Sequence, residues 1–171
     1  MIKRIWAREI LDSRGIPTVE CYCQLDDGRF ATAAVPAGTT TGSHEALELR
    51  DKDIARYHGQ GVLKAVENIN NVLGPAIVGM DPTKQSEIDQ KLITLDGTEN
   101  KSKYGANAIL AISMVVCKIA ALSQNKALYT WINELAVQNG MKSGVKIPTP
   151  LLNMINGGLH GAGNLDFQEF W

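Results

Sequence analysis

The chain has 171 residues, 44% hydrophobic and 20% charged, with 17 basic and 18 acidic side chains for a net charge of −1. This balance describes a globular chain able to bury a core and excludes a disordered one. It carries no basic excess for nucleic acid, no polybasic tail for a membrane surface, and with 6% aromatics no platform for stacking bases.

The N-terminus, Met1-Ile2-Lys3-Arg4, is followed by charges at Arg8, Glu9 and Asp12 and has no signal-peptide character. Residues 2–11 predict a strand, ended by the turn signal Asp12-Ser13-Arg14-Gly15 with Pro17 beyond. Val19, Cys21, Cys23 and Leu25 alternate with Thr18, Glu20, Tyr22 and Gln24, the period of a half-buried strand. Asp26-Asp27-Gly28 predicts a hairpin turn, and 30–35 the return strand. The expected unit is a three-stranded antiparallel meander. Cys21 and Cys23 read as small buried residues on one strand face, and with Cys117 they make an odd, reduced set.

The segment Pro36-Ala37-Gly38-Thr39-Thr40-Thr41-Gly42-Ser43-His44 is a small, polar loop. No Lys follows Gly42, which excludes a Walker A loop. Hydroxyls here suit a hard cation such as Mg²⁺, and a solvated hinge is the competing reading. Val62, Val66, Ile69 and Leu73 have helical spacing, and Gly74-Pro75 predicts a stop. Asp81-Pro82 reads as a cap followed by proline at the first helical position, opening a helix with Ile88, Leu92 and Leu95 on one face and Gly97 at its end. Residues 105–122 predict a central helix, apolar nearly all round and shorter than the ~20 residues of a membrane span. Leu128, Trp131, Ile132 and Leu135 mark a fourth helix, ending at Asn139-Gly140. Strands followed by helices give an α+β class with helices on one face of the sheet.

Residues 140–146 read as a linker. A strand is expected over 147–152, then a glycine-rich loop, then a strand over 165–171. The loop Gly157-Gly158-Leu159-His160-Gly161-Ala162-Gly163 lacks dinucleotide-binding spacing. His160 in that loop, with Gln168 and Glu169 on the following strand, is a candidate site. His44, His58 and His160 are too scattered to form a metal cluster by sequence, and no Ser-His-Asp or Cys-His arrangement stands out.

Several segments together resemble the enolases. They are residues 7–20 (AREILDSRGIPTVE), 35–42 (VPAGTTTG), 45–51 (EALELRD), 96–110 (DGTENKSKYGANAIL), and Asn156-Gly157-Gly158-Leu159-His160 with Phe167-Gln168-Glu169-Phe170. The resemblance runs in order over the whole chain. It implies an N-terminal capping domain over 1–139, the linker 140–146, and over 147–171 the first strands of an incomplete (β/α)₈ barrel, which takes ~250 residues when complete.

The resemblance implies Mg²⁺-dependent, reversible dehydration of 2-phospho-D-glycerate to phosphoenolpyruvate in glycolysis, in the cytoplasm. A Lys or His base and one or two Mg²⁺ ions are the means the enolase superfamily uses for the enolate step. By motif position, Ala37, Gly38, Thr39, Thr40, Thr41 and Gly42 align with the family's mobile loop, and Thr40 with its serine ligand to the second Mg²⁺. His160 aligns with the histidine near the substrate phosphate. Gln168 and Glu169 align with the pair beside the substrate, the Glu supporting the acid that acts on the leaving hydroxyl. Ala37, Thr39, Ile16, Gly161-Ala162-Gly163 and Trp171 depart from the commoner pattern. A homo-oligomer, a dimer or higher, is implied, with the Arg14–Glu20 segment at its interface. The family's carboxylate metal ligands and catalytic lysines belong to later barrel strands, so the chain alone is expected to be inactive. A stand-alone binding or assembly module is the alternative.

Overall fold

A computed structural model describes every residue except 39–41, 143, 159–160, 162 and 164. Three strands, β1 (Ile2–Leu11), β2 (Pro17–Leu25) and β3 (Phe30–Ala34), form an antiparallel sheet in the order β1-β2-β3. The registers Ala7↔Cys21 and Cys21↔Ala33 place the inward residues of all three strands in one row. Val19, Cys21, Cys23 and Leu25 are all buried, so the alternation marks the core face as expected. Burial pushes the Cys23 thiol up to about 12 and the Cys21 thiol higher still, which keeps both protonated and inert. The outer face carries the stacked Trp6 and Tyr22 rings, 5.2 Å apart, with Arg4 over Trp6.

Among the described residues a short 3₁₀ turn at Tyr57–Gly59 and four longer helical stretches follow, and the architecture is α+β. The first of the longer stretches runs from α1 (Leu63–Asn68) through a π-helical turn (Ile69–Leu73) into α2 (Gly74–Ile77). The expected stop at Gly74-Pro75 therefore does not occur. The π turn resets the hydrogen-bond ladder, so Pro75 falls in the first turn of α2, where its missing N–H has no intrahelical partner to lose. Gly74 is needed for a different reason: a Cβ there would sit 2.7 Å from the Ile69 carbonyl oxygen and 3.1 Å from Ile5 Cβ on the sheet. The same π turn presents Asn70 to β1. The Ala7 N–H donates to Asn70 Oδ1 (2.8 Å), and Asn70 Nδ2 donates to the Ala7 carbonyl (3.2 Å).

α3 spans Gln85–Asp96 and begins later than Asp81-Pro82 suggests. Asp81 Oδ1 is occupied by the Thr83 N–H (2.9 Å) and the Thr83 hydroxyl (2.8 Å) in a turn closed two residues on, so it cannot cap the helix. Ile88 and Leu92 are fully buried and Leu95 packs beside them, as the spacing predicts. α4 (Ala106–Ser123) is the central helix. Its Ile112, Val115, Val116 and Ile119 are fully buried against the sheet and the neighbouring helices. α4 is long and apolar enough to cross a membrane by length and composition, but its burial is that of a core helix. Lys118, on its flank, donates to the Thr32 carbonyl at the edge of β3 (3.0 Å). α5 (Leu128–Gln138) buries Trp131 against Ala120 and Ala121, while Ile132, expected on the same face, is 49% exposed.

Beyond α5, the strand expected over 147–152 is not formed. Ile147 is 95% exposed and Leu151 74%. Instead β4 (Ile155–Asn156) pairs antiparallel with β5 (Glu169–Phe170), so the strand expected over 165–171 is reduced to two residues.

Candidate functional site

The loop that follows β3 leaves the core under tight control. The Val35 N–H donates to the Val19 carbonyl (2.9 Å), and the buried Thr18 hydroxyl donates to the Val35 carbonyl (2.6 Å). Two residues later Arg14 Nη2 donates to the Ala37 carbonyl (2.7 Å). Ala37, Gly38 and Gly42 are described, whereas Thr39, Thr40 and Thr41 lie outside the described residues. After Gly42 the chain is fastened again. The Leu47 N–H donates to the Asn100 carbonyl and the Ala106 N–H to the Leu47 carbonyl, both at 2.8 Å.

Asn107, buried in the first turn of α4, then takes both main-chain groups of Leu49. Its Oδ1 accepts the Leu49 N–H (3.1 Å), and its Nδ2 donates to the Leu49 carbonyl (3.0 Å). Asn107→Ala would leave both groups of Leu49 unpaired. The expected loss is about 2 kcal/mol of unfolding free energy, read from urea denaturation. Asn107→Asp restores one bond of the two and should fall between.

Further on, Asp51 accepts the N–H groups of Leu63 and Lys64 (2.8 and 2.9 Å) and so caps α1 from twelve residues upstream. Glu9 on β1 binds the Arg56 guanidinium and accepts the Val62 N–H (2.8 Å). Burial pushes the Glu9 carboxyl up. The Arg56 and Val62 donors outweigh that, and it lies below its ordinary value.

The segment 96–105 is organised by one buried carboxylate. Asp96 accepts the Thr98 hydroxyl, the Thr98 N–H (3.1 Å) and the Tyr104 N–H (2.8 Å). Burial raises its pKa, but these donors favour the charged form more strongly, and the net shift is downward. Two cavities flank the fastened chain. One of about 430 Å³ is lined by apolar side chains, among them Val35, Pro36, Ile93 and Leu110, and by the polar Glu48, Asp89, Lys101, Asn107 and Ser113. The other, about 510 Å³, is polar and lined by Ser43, His44, Glu45, Glu99, Asn100 and Lys101. Both lie within the size range of small-molecule sites.

A family model described as the enolase N-terminal domain matches residues 2–132. The chain belongs to the enolase N-terminal domain family. The match takes in all three sheet strands and α1 to α4, together with the loop after β3 and the Asp96 segment.

The sequence-derived site residues of this enolase-family chain fall into two groups. Thr40 and His160 lie outside the described residues. Glu169 is half-buried in β5 opposite Asn156, and Gln168 precedes it, its carbonyl accepting the Gly157 N–H (2.8 Å). Among the described residues no three His, Cys, Asp or Glu side chains converge to hold a metal ion. Three of the described carboxylates serve the fold: Asp51 caps α1, Asp96 orders its loop, and Asp12 closes the β1–β2 turn. Sequence reading missed Asn107, Asp96 and Asp51 as organisers. Their positions inside family-like motifs were the available signal; their partners, up to 58 residues away, were not.

Proposed function

We propose that the chain serves as the capping part of an enolase, acting in the reversible, Mg²⁺-dependent dehydration of 2-phospho-D-glycerate to phosphoenolpyruvate. The observation that carries this reading is the family match over residues 2–132. In the proposal, residues 1–139 form the cap, 140–146 the linker, and 147–171 the start of a barrel. The cap brings the 37–42 loop to the substrate, and Thr40 reaches a second Mg²⁺. His160 faces the substrate phosphate, and Gln168 and Glu169 stand beside the leaving hydroxyl. A loop placed over the reacting carbons would keep water from the enolate as it forms.

Bound Mg²⁺ would supply Lewis-acid stabilisation of charge on the substrate carboxylate. A hard divalent cation needs several oxygen ligands, and the described residues do not gather such a set. In this reading the described residues supply the cap and the contacts of Gln168 and Glu169 beside the substrate, and Mg²⁺ takes its further oxygen ligands from outside them. The exposed side chains of Ile147, Leu151, Phe167 and Trp171 support a covering partner, since patches of this kind mark interaction surfaces.

The test is turnover. With 2-phosphoglycerate and Mg²⁺, the pure chain is expected to give no rise in the ultraviolet absorbance of the enol phosphate. Mixed with an enolase barrel domain that lacks its own cap, it is expected to co-sediment and restore turnover. Steady product from the chain alone, or no association with the barrel, would sink the reading. A stand-alone assembly module is the second reading, favoured by the closed core that β1–β3 and α1–α4 make among themselves. Association without turnover would select it.

A further inference from the structure

The turn between β1 and β2 reaches beyond itself. Asp12 Oδ1 accepts the N–H groups of Arg14 (2.8 Å) and Ile16 (2.9 Å), which fixes the turn. Asp12 Oδ2 accepts Arg14 Nε (3.2 Å) and Nη2 (3.1 Å), a forked pair that fixes the plane of the guanidinium. With the plane fixed, Nη2 still has a proton to give, and it gives it to the Ala37 carbonyl, 2.7 Å away and 23 residues later. The backbone bonds of Val35 end the sheet side of this chain, and Pro36 has no N–H to offer. Ala37 is therefore the first point beyond the sheet at which anything holds the loop, among the described residues.

We propose that Arg14 is a positioning residue for the start of the loop, and that Asp12, Arg14 and Ala37 act in series to set the direction in which the chain leaves the core at Ala37 and Gly38. This rests on the reading that the loop serves an enolase site. An arginine present only to balance Asp12 would need no third partner, yet this one bridges two segments that the strands do not join. The Arg14 side chain is 39% open to solvent and Asp12 is half-buried at 15%, and ion pairs open to water on one side add little to global stability. The effect of cutting it should thus be local. The backbone donors on Asp12, with its Arg14 partner, hold that carboxyl below its ordinary value, so the relay stays charged at neutral pH.

The experiment uses the 171-residue chain labelled with ¹³C and ¹⁵N, as wild type, R14Q, D12N, the double variant and R14K. D12N keeps the oxygen that accepts the turn amides and replaces the one that grips the guanidinium. R14Q is expected to move the Ala37 carbonyl carbon upfield and to lower the heteronuclear NOE of the Gly38 amide. The Val19 and Cys21 amides and the Tm should stay in place. D12N should move the same signals in the same direction by less, the double variant should match R14Q alone, and R14K should recover part of the Ala37 shift. An unmoved Ala37 in R14Q, or D12N and R14Q effects that add, would overturn the proposal. So would a chain that unfolds on R14Q, because a relay open to water on one side cannot carry the fold. These signals are read without substrate, so they stand or fall apart from the turnover test of the enolase reading.

Discussion

Asp96→Ala is expected to lower the unfolding free energy by about 2 to 4 kcal/mol, the range for stranding buried donors that had a charged acceptor. The residue is 3% exposed, and its two oxygens hold the Thr98 N–H and hydroxyl and the Tyr104 N–H. Removing the carboxylate frees all three at once, at the point where α3 hands over to α4. Asp96→Asn is nearly as costly, because one face of the amide presents a donor to a donor. The pH dependence follows from the direction of the shift. The carboxyl lies lower in the folded chain than in the unfolded one, so its stabilisation is full above the unfolded pKa of about 4 and fades as pH falls through the folded value. Urea midpoints of wild type and Asp96→Asn should therefore lie far apart at pH 7 and draw together below pH ~4. A constant gap across that range would mean that the charge of Asp96 has no part in the fold.

Ile112→Ala should cost about 3 to 4 kcal/mol, a large-to-small change at a core site that cannot collapse. Ile112 is fully buried at the middle of α4, in the core that joins the sheet to the other helices. Close packing on all sides leaves its neighbours little freedom to move into the gap. The control is Ile132→Ala on α5, a side chain 49% exposed, expected to change stability by no more than about 0.5 kcal/mol. Thermal or urea unfolding of the two variants, with near-equal values for both, would show that α4 is not the centre of the core.

The two isoleucines also show what periodicity can and cannot deliver. Alternation along β2 told inside from outside from Val19 to Leu25, because a strand has only two faces. It placed Thr18 among the outward residues, whereas Thr18 is buried with its hydroxyl on the Val35 carbonyl. A helix has no such binary choice. Ile132 shares the helical spacing of Trp131 and Leu135, yet the side of α5 that meets α4 is narrower than that spacing suggests. Pro75 misled for a related reason. Its breaking power depends on where it falls in the ladder, and the π turn before it shifted that place. At 147–152 the apolar run was legible and the strand was not, since a strand exists only where a partner strand pairs with it.

For the candidate site, motif positions were legible and geometry was not. Gly38 and Gly42 mark a loop in any reading of the sequence. That Arg14 holds its root, that Asn107 clasps Leu49, and that Asp96 orders the segment opposite are all matters of contact between segments far apart in the chain. Side-chain chemistry supplied the capacity for each bond, and the fold chose the partner.

The amide of Asn70, laid against both main-chain groups of Ala7, has a meaning for the behaviour of many copies in solution. An outer strand of a sheet is a template on which another chain can grow, and its open N–H and carbonyl groups are the template's letters. Asn70 occupies two of them on β1, and the Lys118 ammonium occupies the Thr32 carbonyl on β3. Each side of the sheet thus ends in a side chain that offers no continuing ladder, and copies of this domain meeting at high concentration are steered away from fibrous stacking through their strand edges.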